Sequence, residues 1–293
     1  MGSGNWPSMA YTSKMAERGI KTTLNSATMS AVADLSGIST SQYYTQRTIS
    51  DRLNPYQVMR ECVDSSEHPN TIPVLFALDV TGSMGQTANA CAAKLNEIME
   101  LLYRQITDVE FMVCALGDLS YDSAPFQAGQ FESDIRISDQ LDLVYFEAGG
   151  GGNRFESYTL PWYFGLHNTS LDCWKRNKKG IIITMGDEPL NPYLPHQELN
   201  ACLGCHEQAD IDTKELYQAA REKFDIYHLS IDERGNSYHY HKDDINQTWP
   251  QLLGENYRVA TLDNLSQIIS NIIIINAKTD MNTVVSSADG ISW

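Results

Sequence analysis

Residues 72–85 read IPVLFALDVTGSMG. The run over 72–80 is apolar almost without interruption up to Asp79, the pattern of a strand buried on both faces of a sheet. A glycine-punctuated turn ends it. Residues 88–106 follow, with Ala92, Leu95, Ile98, Met99 and Leu102 at helical spacing. Strand, turn and helix in that order form the opening unit of a parallel sheet.

The same alternation continues outward. Residues 109–116 (VEFMVCAL) read as the next strand, and 125–131 as a short edge strand. A four-glycine run at 149–152 precedes a helical stretch over 156–166. Residues 181–185 (IIITM) form another buried strand, 212–224 an amphipathic helix, and 225–231 (DIYHLSI) a strand. A helix over 245–253 and a last short strand over 257–262 follow, and Leu265, Ile268, Ile269, Ile272 and Ile273 then share one helical face. Strands alternating with helices predict an α/β fold with three layers, a doubly wound, mostly parallel sheet with helices on both faces. Ligands of such sheets sit beyond the carboxyl ends of the strands, where the strand order switches direction.

This pattern covers residues 72–278 and leaves two flanks, an N-terminal extension (1–71) and a C-terminal tail (279–293). The first 50 residues hold 16 Ser or Thr and little apolar periodicity, which reads as an arm without a core of its own. Asn54-Pro55 could launch a short helix over 56–62. In the tail, residues 282–287 (NTVVSS) could pair as a strand with a neighbour. Arm and tail are expected to be tied down by self-assembly or by the domain surface, which makes them candidates for homo-oligomerisation.

The chain has 293 residues, with 21 Lys or Arg against 37 Asp or Glu, a formal net charge of −16. Residues 1–71 carry six charges of each sign, residues 72–278 carry 15 basic against 29 acidic, and the last 15 residues add two acids. Such a surface repels phosphates and anionic lipid, which excludes general nucleic-acid or membrane partners. No stretch approaches a membrane span of about 20 apolar residues, and no secretory signal opens the chain. Six cysteines in this length do not make a disulfide framework, so a cytoplasmic location is expected.

Two of the buried strands end in acids. The first runs into Asp79-Val80-Thr81-Gly82-Ser83, the second into Met185-Gly186-Asp187-Glu188. A carboxylate at the tip of a buried strand must be paired, hydrogen-bonded or metal-bound. Thr81 and Ser83 can converge with Asp79 on one point, and carboxylate with hydroxyl oxygens suits a hard cation, Mg²⁺ above all, with Ca²⁺ or Mn²⁺ as alternatives. The competing reading is that Thr81 or Ser83 caps the following helix and the carboxylate is held by backbone N–H groups.

A buried strand ending DxTGSMG, a glycine-rich loop before a helix and a second strand ending in Asp resemble a von Willebrand factor A-type domain with its metal-ion-dependent adhesion site. That site takes the form DxSxS, a Thr in a second loop and an Asp in a third. Asp79, Thr81 and Ser83 match the first element, and Asp187 the third. The second departs: the loop GGGGNRFE (149–156) holds no Thr and is similar to variant members with Gly-Gly-Gly-Asp-x-Pro-Glu, so Asn153 and Glu156 are the residues that could complete the shell. Phrases such as FESDIRISDQLD and GGGGNRFESYTL are similar to a bacterial and phage subgroup of the family. The resemblance implies a non-catalytic Mg²⁺ ion whose open position receives a carboxylate from a protein partner or another subunit. Some prokaryotic relatives act beside MoxR-type AAA+ ATPases, which makes such an ATPase a candidate partner.

Two other classes compete. A purely structural, self-assembling protein would leave the site empty. A haloacid-dehalogenase-like phosphotransferase would use Asp79 as nucleophile and Gly186-Asp187 as its second motif, but that chemistry needs an acid where Thr81 stands and another where Asn191 stands. Cys202, Cys205 and His206, with His196, have zinc-ligand types but only one CxxC. Residues 238–244 (YHYHKDD) read as an exposed turn, Cys62, Cys91, Cys114 and Cys173 as packing thiols, His167 and His228 as core or boundary histidines. Glu132, Asp134, Asp139 and Asp142 read as a solvated helix face.

Overall fold

Six strands form the central sheet of the computed structural model, which describes residues 6–147 and 152–288, with 279–288 as backbone only. They are β1 (Ile72–Asp79), β2 (Val109–Leu116), β3 (Phe126–Glu132), β4 (Gly180–Gly186), β5 (Phe224–Ile231) and β6 (Tyr257–Ala260). Their order is β6-β5-β4-β1-β2-β3, parallel throughout except for β3, which pairs antiparallel at the edge. Val74, Phe76 and Leu78 of β1 enter one core, while Leu75 and Ala77 enter the other. A strand covered on both faces has no side that can be polar, which accounts for the unbroken apolar run.

Helices α1 (Ser8–Glu17), α2 (Gly85–Ala93), α3 (Leu95–Tyr103) and α4 (Arg136–Leu141) pack against one face. Helices α5 (Leu160–His167), α6 (His196–Leu203), α7 (Thr213–Ala220) and α8 (Tyr238–Leu253) cover the other, and α9 (Leu265–Ala288) returns to the first. The fold is therefore the expected three-layer α/β arrangement. From β1 the chain passes to β2 on one side and later to β4 on the other, so the switch point lies between the carboxyl ends of β1 and β4.

Several local expectations are corrected. The helix over 88–106 is two helices that meet at Lys94. Residues 60–62 form a strand, not a helix, pairing in parallel with Thr169–Leu171; Arg60 and Cys62 are buried and Glu61 exposed, a two-residue alternation. The turn expected at 238–244 is the first part of α8, anchored by the buried Tyr238. Residues 282–287 continue α9 instead of forming a strand. Helix formation is cooperative, and the isoleucine face over 265–277 that packs on the core nucleates it. Gly149, Gly150 and Gly151 of the glycine run, and residues 289–293 of the tail, lie outside the described residues.

The N-terminal extension packs on its own domain. Trp6, Tyr11, Met15, Ile20, Tyr43 and Tyr44 are buried in the same core as α2 and α3. Trp6 Nε1 donates to Asn96 Oδ1 at 2.7 Å, and Tyr11 OH to the Ala93 carbonyl at 3.2 Å. Lys14 pairs with Asp139 and Asp142, and Arg18 with Asp142. Asp139 and Asp142 are thus anchors for the arm and not a solvated face, and Glu132 is buried and paired with Arg136 at 2.8 Å. The basic residues of the neutral arm meet acids of the negative domain.

Candidate metal centre

At the switch point β1 delivers Asp79 and β4 delivers Asp187 through Gly186. Asp79 is fully buried. Its Oδ1 accepts the Thr81 backbone N–H at 2.9 Å and the Thr81 hydroxyl at 2.6 Å. Thr81 Oγ1 lies 3.2 Å from Ser83 Oγ, which donates to Asp187 Oδ1 at 2.9 Å. Asp187 Oδ2 accepts the Ser237 N–H at 2.7 Å, at the start of α8. Four of the sequence-derived residues therefore form one continuous chain across the crevice. Of the competing reading, the side-chain cap is absent at the start of α2, while the backbone N–H groups of Thr81 and Ser237 do hold Asp79 and Asp187.

A residue with no signature in the sequence joins the two halves. Tyr158, fully buried in the turn before α5, donates its hydroxyl to Asp79 Oδ2 at 2.6 Å. The same oxygen accepts the N–H groups of Asp187 at 3.1 Å and Glu188 at 3.3 Å. Its ring meets those of His228 and Trp249 edge-on. A Cβ on Gly186 would stand 2.0 Å from the Tyr158 hydroxyl, so glycine at 186 is a steric requirement. Beyond Asp187, Glu188 hydrogen-bonds His241, and its carbonyl accepts the Trp249 indole N–H at 3.2 Å.

The crevice is strongly acidic. Burial, reinforced by the charge of Asp187, pushes the Asp79 carboxyl up to about 8. Burial likewise raises Asp187 and Glu188. Glu156 is 8% exposed and its Oε2 has no hydrogen-bond partner. Burial first, then the charges of Asp79, Asp122, Asp118 and Glu188, push it up to about 11. Asp118 and Asp122 follow β2, and the Asp118 N–H donates to Asp122 Oδ2 at 2.7 Å. The only signal for them was a repeated ending: Gly117-Asp118 closes β2 as Gly186-Asp187 closes β4. The Asn153 amide donates to Asp118 Oδ2 at 2.6 Å, in the loop after β2.

The residues present fit a hard divalent cation. Among the described residues no three His, Cys, Asp or Glu side chains gather as a metal cluster. The donor set here is instead two carboxylates and two hydroxyls. Adjacent ligands of an octahedral Mg²⁺ at about 2.0–2.1 Å stand about 2.9 Å apart. The spacings from Ser83 Oγ to Thr81 Oγ1 and Asp187 Oδ1, 3.2 and 2.9 Å, are close to that. The unpartnered Glu156 Oε2 is a further oxygen that could face such an ion once the carboxyl gives up its proton.

The other candidates do not assemble. Cys205 Sγ donates to Asn200 Oδ1 at 3.1 Å and His196 Nδ1 sits 2.7 Å from Asp210, so the CxxCH residues share no centre. Cys62, Cys91, Cys114 and Cys173 are buried and form no disulfide. His228 stacks on Trp249 at 3.6 Å, and burial holds its imidazole well below the ordinary range. His167 is exposed at the end of α5. Asn191, where a phosphotransferase needs an acid, exchanges hydrogen bonds with Thr159.

No family model and no curated protein matches the sequence. Solved structures similar to this chain include a pilus adhesin, SpaC from Lactobacillus rhamnosus GG, in an open conformation (TM-score 0.48, 13% identity). This chain covers 31% of that protein with 76% of its own length. The SpRpn10 VWA domain is also similar (TM-score 0.38, 8% identity), with 67% of this chain covering 93% of it. So is proximal thread matrix protein 1 from the mussel byssus, described with a zinc-occupied adhesion-site motif (TM-score 0.43, 12% identity, 75% of this chain and 46% of that one). This chain thus spans about a third of the adhesin and about half of the byssus protein. At these scores the fold rests on the strand order itself. No described helix is long and apolar enough to cross a membrane.

Proposed function

We propose that this chain is a Mg²⁺-dependent protein-interaction module of the von Willebrand A type, whose ion accepts an acidic side chain from a partner. The observation that carries the reading is the unbroken chain of oxygens from Asp79 through Thr81 and Ser83 to Asp187, built at the switch point of the sheet. Asp79, Thr81, Ser83 and Asp187 would hold the ion, with Glu156 beside them. Mg²⁺ would supply a positive centre in a negative crevice, so that a carboxylate is attracted where the bare protein repels it. Ser83 spans the two strands, and the Ser237 N–H ties Asp187 to α8, so a change in the carboxylate position is felt at the start of that helix.

The partner is a second copy of this chain or another protein, and the family resemblance brings an AAA+ ATPase among the candidates. We place the module in the reducing cytoplasm, which agrees with six cysteines that form no disulfide. No catalytic step is assigned to it. Titration calorimetry with MgCl₂ on the wild type and on Asp79→Ala tests the reading. Heat of binding in the first and none in the second is expected, and equal heats would overturn it. Light scattering with and without Mg²⁺ distinguishes a second copy from a different partner.

A further inference from the structure

We infer that a pocket beside the metal centre, built in part by the N-terminal arm, is a second contact for the partner: Arg47 there receives another carboxylate of the same acidic segment that reaches the ion. The inference rests on the metal reading above and adds to it the kind of partner the site takes, a peptide segment with two acids a few residues apart.

The arm, the first turn of α2 and the chain before the glycine run line an open pocket of about 580 Å³. Ser41 and Arg47 come from the arm, Gln86 from α2, and Tyr145 and Phe146 from the third segment. Two of these segments run directly into the metal site. Gln86 stands three residues after Ser83, so their Cα atoms are at most about 11 Å apart. Phe146 is followed by Glu147, whose Oε2 accepts the N–H groups of Ser123 at 3.1 Å and Ala124 at 3.0 Å, in the loop that carries Asp118 and Asp122.

The charge of this pocket is opposite to that of the domain. In a chain with 37 Asp or Glu, its one charged lining residue among the described residues is Arg47. Lys14 and Arg18 of the arm are neutralised by Asp139 and Asp142. Arg47 is exposed and, among the described residues, pairs with no carboxylate. A guanidinium binds a carboxylate through two parallel N–H···O bonds, and the hydroxyl and amide groups beside it add neutral donors. The walls are set before any partner arrives. Tyr44 is buried, stacks on Phe146 at 5.5 Å and donates to the Ala88 carbonyl at 3.3 Å. Gln127 holds Tyr145 by both its N–H and its carbonyl, at 2.9 and 2.7 Å. Such preorganisation spares the partner the cost of ordering the pocket. A pocket of this volume is about 10 Å across, and an extended chain advances about 3.3 Å per residue, so acids about four to six residues apart reach both the ion and Arg47.

The test is fluorescence anisotropy of two labelled Gly-Ser peptides of equal length, one with a single Glu and one with two Glu five residues apart. Each is titrated with the full chain in MgCl₂ and in EDTA, as wild type, as Arg47→Gln and as Ser41→Glu, which sets an acid in the pocket. Both substitutions fall at exposed positions, so the fold does not depend on them, and circular dichroism checks this. In MgCl₂ we expect the wild type to bind the two-acid peptide about fivefold more tightly than the one-acid peptide, the upper reach of an exposed ion pair. Both variants should lose that preference, and EDTA should abolish binding of either peptide. Equal binding of the two peptides by the wild type, or a preference that survives in both variants, overturns the inference and leaves the metal reading standing. Binding that is absent in MgCl₂, or the same in EDTA, overturns the metal reading and the inference with it.

Discussion

Replacing Glu156 by Gln should make the metal-free protein more stable at neutral pH, the opposite of what deleting a site residue usually suggests. In the folded protein, burial and the neighbouring acids raise the Glu156 carboxyl to about 11, so it keeps its proton at pH 7. In the unfolded chain the same group has its ordinary value of 4.5 and is ionised. Folding at pH 7 must therefore return a proton across the interval from 4.5 to 7, at about 1.4 kcal/mol per pH unit, or about 3 kcal/mol in all. The sign follows from proton counts. Between pH 4.5 and 11 the folded state binds more protons, so this group's contribution is full below pH 4.5 and lost as pH rises. Gln carries no proton to return, matches the protonated acid in shape, and its amide can donate to the surrounding carboxylates. Thermal melts in EDTA at pH 5, 6, 7 and 8 should show the variant gaining on the wild type with each step. The gain at pH 7 should reach roughly 5–10 °C for a domain of this size. Saturating Mg²⁺ should narrow the gap, because the ion stabilises the wild type more. A variant no more stable than wild type in EDTA, or a difference flat across this pH range, would refute the reasoning.

Two further outcomes follow from buried groups that are not among the proposed ligands. Asn96 is fully buried and bridges the Trp6 indole N–H and the Ala31 carbonyl. Asn96→Ala should cost about 2–4 kcal/mol and expose the arm to limited proteolysis within the first 50 residues, while leaving Mg²⁺ binding intact; an undigested arm would contradict its anchoring. His228 is held neutral by burial, so the unfolded state alone takes up its proton below pH 6.5 and stability falls as pH drops. His228→Phe keeps a flat ring against Trp249 and should flatten the melting temperature between pH 6.5 and 5, by up to about 1.4 kcal/mol per pH unit.

The legible parts of the site were those carried by chain-local pattern. Asp79, Thr81 and Ser83 lie within five residues of one another, and Asp187 ends its own apolar strand, so strand and turn signals were enough to nominate them. Asn153 was nominated by a motif slot, but its loop turns the amide to Asp118, a partner 35 residues away. Tyr158 could not be read at all: one tyrosine among 15 acquires its role only when β1 and β4 become neighbours and its hydroxyl falls between them. Where the arm packs was not legible for a similar reason. Its aromatic residues follow no shared period, because each packs at a separate point, Trp6 at Asn96, Tyr11 at Ala93 and Tyr44 at Ala88 and Phe146, and periodicity detects only a face that is continuous along one element.

By itself the sequence determined the layered fold, the sign of the surface and the four oxygens at the strand ends. Burial on both faces forces long apolar runs, and a carboxylate ending such a run has to be answered by another group. Only the tertiary structure decided that the arm belongs to the same core, that Glu156 is an unpaired acid among acids, and that a tyrosine hydroxyl locks Asp79 in place. Those facts depend on contacts between segments separated along the chain, by 79 residues for Tyr158 and Asp79, and close approach in space leaves no periodic trace along the chain.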